Sequence, residues 1–329
     1  MKQAGFKREF VSWLRTLIVP VFCSAALCSL ESSAQNYFPV IPGRLADDSF
    51  STIPFSGGSN TVRFQQIYDA ADFVEEGGSR PFLIQLIAFR EDAGRQEGFS
   101  SDFPDFQINL STTSRAVDGL SPIFADNVGS DDRAVVARGS FHIGVSSGGG
   151  FSAVIGLAAA PFYYDPSQGN LLLDIRNFGG GRTGWGYPPF IGPAHVDASN
   201  VNGDRVSSVS ANSVNALLGT TSTLGLVTMF LINPVPKVTV SLQSNNLLFH
   251  WFNQPGGFML QQSAMMDPGA AWQPVGGIVT TNGAYKEVTL PLNTNAVARF
   301  FRLVWAPSSA GSAGTQTTTS FGTILKQEP

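Results

Sequence analysis

Cysteine is nearly missing from this chain. The two that exist, Cys23 and Cys28, both lie within the first 34 residues. The remainder has no disulfide or thiol chemistry available and must hold together by burial. Charge is also thin: charged residues make up 13% of the sequence, against about 25% in ordinary globular proteins. The net charge is −4, and no basic run follows the N-terminus, so the electrostatic footprint of a nucleic-acid binder is lacking. Lys and Glu, the usual helix formers, are few, while Ser, Thr, Asn, Gly and Phe are plentiful, which argues against a helical protein. No Gly-x-Ser-x-Gly elbow lies between a strand and a helix to present a serine nucleophile. Only three histidines occur, His142, His195 and His250, each inside a strand-like run. His195 and Asp197 share a strand face, yet no third ligand accompanies them to complete a zinc site.

The first 34 residues read as an export signal, residues 1–34. Lys2, Lys7, Arg8 and Arg15 form a positive start, Leu17 to Leu30 an apolar run, and Ser32-Ser33-Ala34 a small-residue cleavage site. The apolar run is 14 residues long, short for a membrane span of about 20. Leu27 and Phe22 precede the cysteines where a lipoprotein needs a small residue. Cleavage removes four basic and two acidic residues and takes the net charge to −6. The expectation is a secreted or cell-surface protein with no membrane span in the mature chain.

What is present is strand pattern punctuated by Gly and Pro. The most informative stretch is Phe162 to Phe178. Asp165-Pro166-Ser167-Gln168-Gly169-Asn170 is turn chemistry. After it, Leu171, Leu173, Ile175 and Asn177 share one strand face, and Leu172, Asp174, Arg176 and Phe178 the other. That alternation predicts a sheet with one side buried and a surface ion pair between Asp174 and Arg176. Further strands are predicted at 61–68, 81–89 (apolar on both faces), 106–113, 133–145, 151–157, 194–198, 205–211 and 224–232. Residues 91–105 and 179–189 read as loops. Asp69 to Glu76 reads as a short turn, leaving no helix. The result is an all-β, jelly-roll-like sandwich over residues 35–232.

Asn233-Pro234-Val235-Pro236 predicts an extended linker, residues 233–236. Residues 237–305 then carry about seven short strands, which suggests a smaller β-sandwich of fibronectin-III or immunoglobulin type. Trp251 and Trp272 are read as its core. Residues 306–329, rich in Ser, Gly, Thr and Ala, predict a disordered tail.

Phe106 to Asn127, Tyr164 to Ile175, Asp204 to Val209 and Thr223 to Thr228 together resemble a family of bacterial secreted β-sandwich proteins of the PEP-CTERM-associated type. Leu260-Gln261-Gln262-Ser263, Trp272, Leu290-Pro291 and Ala298 to Leu303 resemble a C-terminal module common in exported proteins of such bacteria. The resemblance implies fold and export, and no reaction. The last residues given hold no Pro-Glu-Pro, apolar span or basic tail, so the family's sorting anchor is not expected here.

Three chemistries have candidate residues. A glycosidase needs two carboxylates facing one bond; Asp102 with Asp105, Asp131 with Asp132, and Asp174 are the acids available, and no pattern singles out a pair, so no catalytic residue is assigned. Calcium would find oxygen ligands at Asp197, Asn200, Asn202 and Asp204 around Gly203. The spacing departs from an EF-hand, whose first ligand falls on Ala198 and twelfth on Val209, leaving a looser loop site against an ordinary turn. Carbohydrate would find Arg182, Trp185 and Tyr187 in the 179–189 segment, aromatic faces for stacking and a guanidinium for hydroxyls; the alternative is Trp185 folded back over the sandwich end. The expected function is that of a non-enzymatic structural or adhesive protein at the cell surface. A carbohydrate-binding module is the first alternative and a secreted glycoside hydrolase the second. The expected partners are extracellular polysaccharide or cell-surface components.

Overall fold

The computed structural model describes residues 36–43, 49–58, 60–95, 98–157, 161–185, 190–201, 203–253, 257–265, 270–292, 299–305 and 325–327. The expected export signal therefore lies outside the described residues. The fold is all-β and antiparallel. Its large sandwich packs an eight-stranded sheet against a five-stranded one, with a three-stranded sheet beside them. At the centre of the large sheet lies Asn170–Asn177, flanked by Phe99–Thr113 and Val62–Tyr68. Leu171, Leu173 and Ile175 enter the core together with Phe106, Ile108, Ile84 and Ile87.

The turn before that central strand is held by its own side chains. Asp165 Oδ1 accepts from the Ser167 amide at 3.0 Å, and Tyr164 Oη donates to the Gly169 carbonyl at 2.8 Å. Gly169 sits at φ +144°, and a Cβ there would lie 2.4 Å from the Thr113 carbonyl oxygen. Asn170 then reaches in both directions, accepting from the Ala70 amide at 2.8 Å and donating to the Arg115 carbonyl at 2.9 Å.

Ala70–Gly77 is an α-helix, which corrects the expectation of a short turn. Asp69 caps it by accepting from the Ala71 amide at 2.8 Å. Its one buried residue, Phe73, meets the rings of Tyr164, Phe82 and Phe230 with centroids 5.1–5.7 Å away. That tertiary contact outweighs the weak local signal.

Phe82–Phe89 is the strand whose two apolar faces both find partners. Gln85 is skipped in its pairing with Thr228–Pro234, and this bulge keeps Phe82, Ile84, Ile87 and Phe89 all on the large core. Leu83 points the other way, into a second core with Val238, Phe249, Trp251 and Leu303. The smaller unit therefore packs against the sandwich. Asn233 and Pro234, expected as linker, are instead the end of the strand Thr228–Pro234, paired with Leu83 and Phe82. Val235 continues the contact by donating to the Pro81 carbonyl at 3.1 Å.

The smaller unit consists of two four-stranded sheets. Trp251 is core, as expected, at 1% exposure. Trp272 is only half-buried, with the Arg302 guanidinium 4.2 Å from its ring centre. In the expected disordered tail, Leu325–Gln327 is a strand paired with Arg299–Phe301; its ladder partner lies far back in the sequence, so composition alone hides it.

Candidate functional site

The large sheet has one face on the core and another that carries polar side chains in cross-strand rows. Gln65, Asp174 and Asn109 face one another on three neighbouring strands, and Arg63, Arg176 and Gln107 form the next row. Asp174 is the hub. It accepts from Arg63 at 2.9 Å, Arg176 at 2.7 Å and Gln65 at 3.0 Å.

The Asp174–Arg176 pair was expected at the surface, but the Asp174 side chain is only 2% exposed. A cover formed by residues 114–128 explains the difference. Phe124 sits 4.6 Å from the Arg63 guanidinium. Asn127 donates to Gln65 Oε1 at 3.0 Å, while Gln65 Nε2 donates to the Phe124 carbonyl at 3.2 Å. Burial pushes the Asp174 carboxyl up, but the hydrogen bonds from Arg176 and Arg63 outweigh it and hold it below the usual carboxylate range.

Toward one edge the same face opens. Phe99–Thr113 begins within the segment read as a loop, and Arg182–Trp185 is a strand paired to it. Thr183 explains why this Gly-rich stretch is regular. It is buried, and its hydroxyl meets Ser101 Oγ at 2.7 Å and the Phe55 carbonyl at 3.2 Å. Gly57 lies flush on it: a Cβ there would be 2.5 Å from the Thr183 nitrogen.

This anchoring puts Arg182 directly across from Asp102, and Asp102 directly across from His142. His142 Nδ1 and Asp102 Oδ1 are 2.7 Å apart, with side chains 64% and 72% exposed. The Arg182 side chain is exposed and has no hydrogen-bond or ionic partner among the described residues. The row beside it reads Gly184, Ser100, Gly144. Two of its three positions carry no side chain, so a flat strip of backbone borders the charged row. Further along, Arg138 grips Asp105 through two bonds of 2.8 and 2.6 Å. Its guanidinium stands 3.7 Å from the Phe178 ring centre.

The three residues named for a sugar site fall as follows. Arg182 is on the open face; the Trp185 backbone closes its strand opposite Phe190; Tyr187 lies outside the described residues. His142 and Asp102 complete the row, and sequence spacing gave no hint of this, because they come from strands 40 residues apart.

The calcium set is not gathered into one centre by the described residues. Asp197 is buried and paired with Arg90; burial still pushes its carboxyl above the usual range. Asp204 turns inward on its own loop, accepting from Ser199 Oγ at 2.7 Å and from the amides of Val201 and Val206 at 3.2 and 3.3 Å. Asn200 accepts from Thr223 Oγ1 at 2.6 Å, and Asn202 lies outside the described residues. The His195 ring lies tilted against Phe50, ring centres 4.7 Å apart. Among the described residues no three His, Cys, Asp or Glu side chains form a metal-holding group. The remaining candidate acids for hydrolysis each have a separate partner: Asp131 accepts from Thr112 and Asp132 from Asn109. Among the described residues no helix is long and apolar enough to cross a membrane.

No family model matches the chain, and no curated protein does. Solved structures similar to it include the β-glucuronidase of Ruminococcus gnavus, at 6% identity and TM-score 0.15, covering 84% of this chain and 46% of that one. The apo form of that enzyme gives 6% identity and TM-score 0.16, with coverage of 84% and 46%. This chain thus spans about half the length of those enzymes, and a likeness so low carries no argument about activity.

Proposed function

We propose that this chain is an exported, non-catalytic adhesive protein that holds extracellular polysaccharide on the open face of its large sheet. The observation that carries the reading is Arg182: an exposed guanidinium without a hydrogen-bond or ionic partner among the described residues, set in line with Asp102 and His142 and bordered by a glycine strip on which a sugar ring can lie flat. Guanidinium donors, carboxylate acceptors and an imidazole together match the mixed donor and acceptor pattern of vicinal hydroxyls. The mature net charge of −6 disfavours a polyanion and favours a neutral polymer. Arg182, Asp102 and His142 are all exposed, which suits a polymer chain passing over the face. The smaller unit, docked through Leu83, then serves as a spacer of set orientation.

The test is affinity electrophoresis of residues 35–329 through gels containing neutral or acidic polysaccharides, with Arg182→Ala alongside. Retardation by a neutral polymer that vanishes in the variant is the expected result. Equal mobility of wild type and variant in every gel overturns the proposal, and release of reducing ends would point to the hydrolase reading instead.

A further inference from the structure

At the opposite edge of the same sheet, a cavity of about 140 Å³ opens between the covering segment and the last two strands. Its walls are Asp118 and Leu120 from the cover, and Ser207, Thr221 and Thr223 from Val206–Ala211, Thr220–Ser222 and the turn after them. Two further serines line it: Ser208 Oγ donates to the Leu224 carbonyl at 2.6 Å, and Ser222 Oγ accepts from the Leu224 amide at 3.0 Å, which leaves the Ser222 O–H to donate.

The free hydrogen-bonding capacity is specific. Ser207 Oγ accepts from the Asp118 amide at 3.0 Å, which leaves its O–H to donate. Thr223 Oγ1 donates to Asn200 at 2.6 Å, which leaves its lone pairs to accept. The Thr221 hydroxyl and the Asp118 carboxylate have no partner among the described residues. Asp118 is held in place by its backbone, at φ +60° and bonded through its amide to Ser207. Loss of water contact, and then the charge of nearby Asp204, hold its carboxyl above the usual range. Asp204 spends its own oxygens on its loop, so it contributes field and not a ligand atom. Among the described residues no arginine or lysine lines the cavity.

The site is thus negative, rich in hydroxyls, floored by one leucine, and smaller than the roughly 300–1,000 Å³ of drug-sized pockets. A neutral sugar would satisfy the hydroxyls and leave the carboxylate without a counterion. An ammonium group satisfies both. We propose that this cavity binds a single amino-sugar residue, its ammonium on Asp118 and its hydroxyls on Ser207, Thr221 and Thr223. The proposal goes beyond the polysaccharide-face reading and uses different residues, so either can fail alone.

The experiment is a calorimetric titration of residues 35–329 with glucosamine, glucose and N-acetylglucosamine, repeated with Asp118→Asn, Thr221→Val and Arg182→Ala. Glucosamine is expected to bind at least about tenfold more tightly than the other two, the usual margin of a charge-assisted hydrogen bond. Asp118→Asn should erase that margin, Thr221→Val should weaken all binding, and Arg182→Ala should leave it unchanged. Binding should also weaken as pH falls and Asp118 takes up its proton. Equal affinity for glucosamine and glucose overturns the proposal. So does an unchanged margin in Asp118→Asn, or a calcium-binding isotherm abolished by Asp118→Asn with no response to glucosamine.

Discussion

Replacing Asp174 by Asn removes the one negative charge between two guanidiniums. In the native sheet Arg63 and Arg176 both bond Asp174, and their side chains are only 15% and 24% exposed. Asparagine retains one acceptor oxygen but no charge, so two like charges are left close together and poorly hydrated. Removing one partner of a buried ion pair costs about 3 to 5 kcal/mol. For a domain of this size each kcal/mol lowers the melting temperature by about 2–4 °C, giving an expected drop of roughly 6 to 20 °C. The assay is thermal unfolding followed by circular dichroism, with urea titration to check that the m-value is unchanged. Asp105→Asn, which breaks the exposed pair with Arg138, is the control and should leave the transition where it is.

The pH dependence supplies an independent check. The folded carboxyl of Asp174 lies below its ordinary value, which is about 3.9 in an unfolded chain. Its stabilisation is therefore complete above that value and is lost as pH falls through the folded pKa. The gap between wild type and Asp174→Asn should be constant near neutrality and close only in acid, below about pH 4. A loss comparable to that of Asp105→Asn, or a gap that narrows between pH 5 and 8, would refute the argument.

Two further predictions concern the frame that carries the face. Leu83→Ala removes a side chain buried in the second core and should cost about 2 to 5 kcal/mol; hydrogen exchange should quicken in Asn246–Phe252 as well as in Phe82–Phe89, and an effect confined to the latter would contradict docking through Leu83. Gly169→Ala forces a Cβ against the Thr113 carbonyl at a positive φ and should destabilise by more than about 1 kcal/mol, measured by urea unfolding; a neutral result would mean the turn relaxes freely.

Much of this protein was legible from local pattern. Alternation in Leu171 to Asn177 identified a strand and its core-facing side, because side chains on a strand alternate whatever the strand pairs with, but the other side, expected in solvent, is buried as well. The Asp165 to Asn170 turn was equally visible, since its residues act on their own backbone. The apolar run 81–89 announced burial on both sides, and the covering layers, large core and small unit, are what the structure adds. Only tertiary structure could decide the helix at Ala70–Gly77, whose stability comes from Phe73 among rings of three separate strands. The same holds for the depth of Asp174: its Arg176 partner is two residues away and readable, whereas Arg63 and the cover at Phe124 arrive from elsewhere. The row Arg182, Asp102, His142 and the cavity at Asp118 belong to that second class as well. Sequence reported which groups were available, and strand register decided which of them meet, because pairing between distant strands is set by the whole sheet and leaves no trace in local spacing.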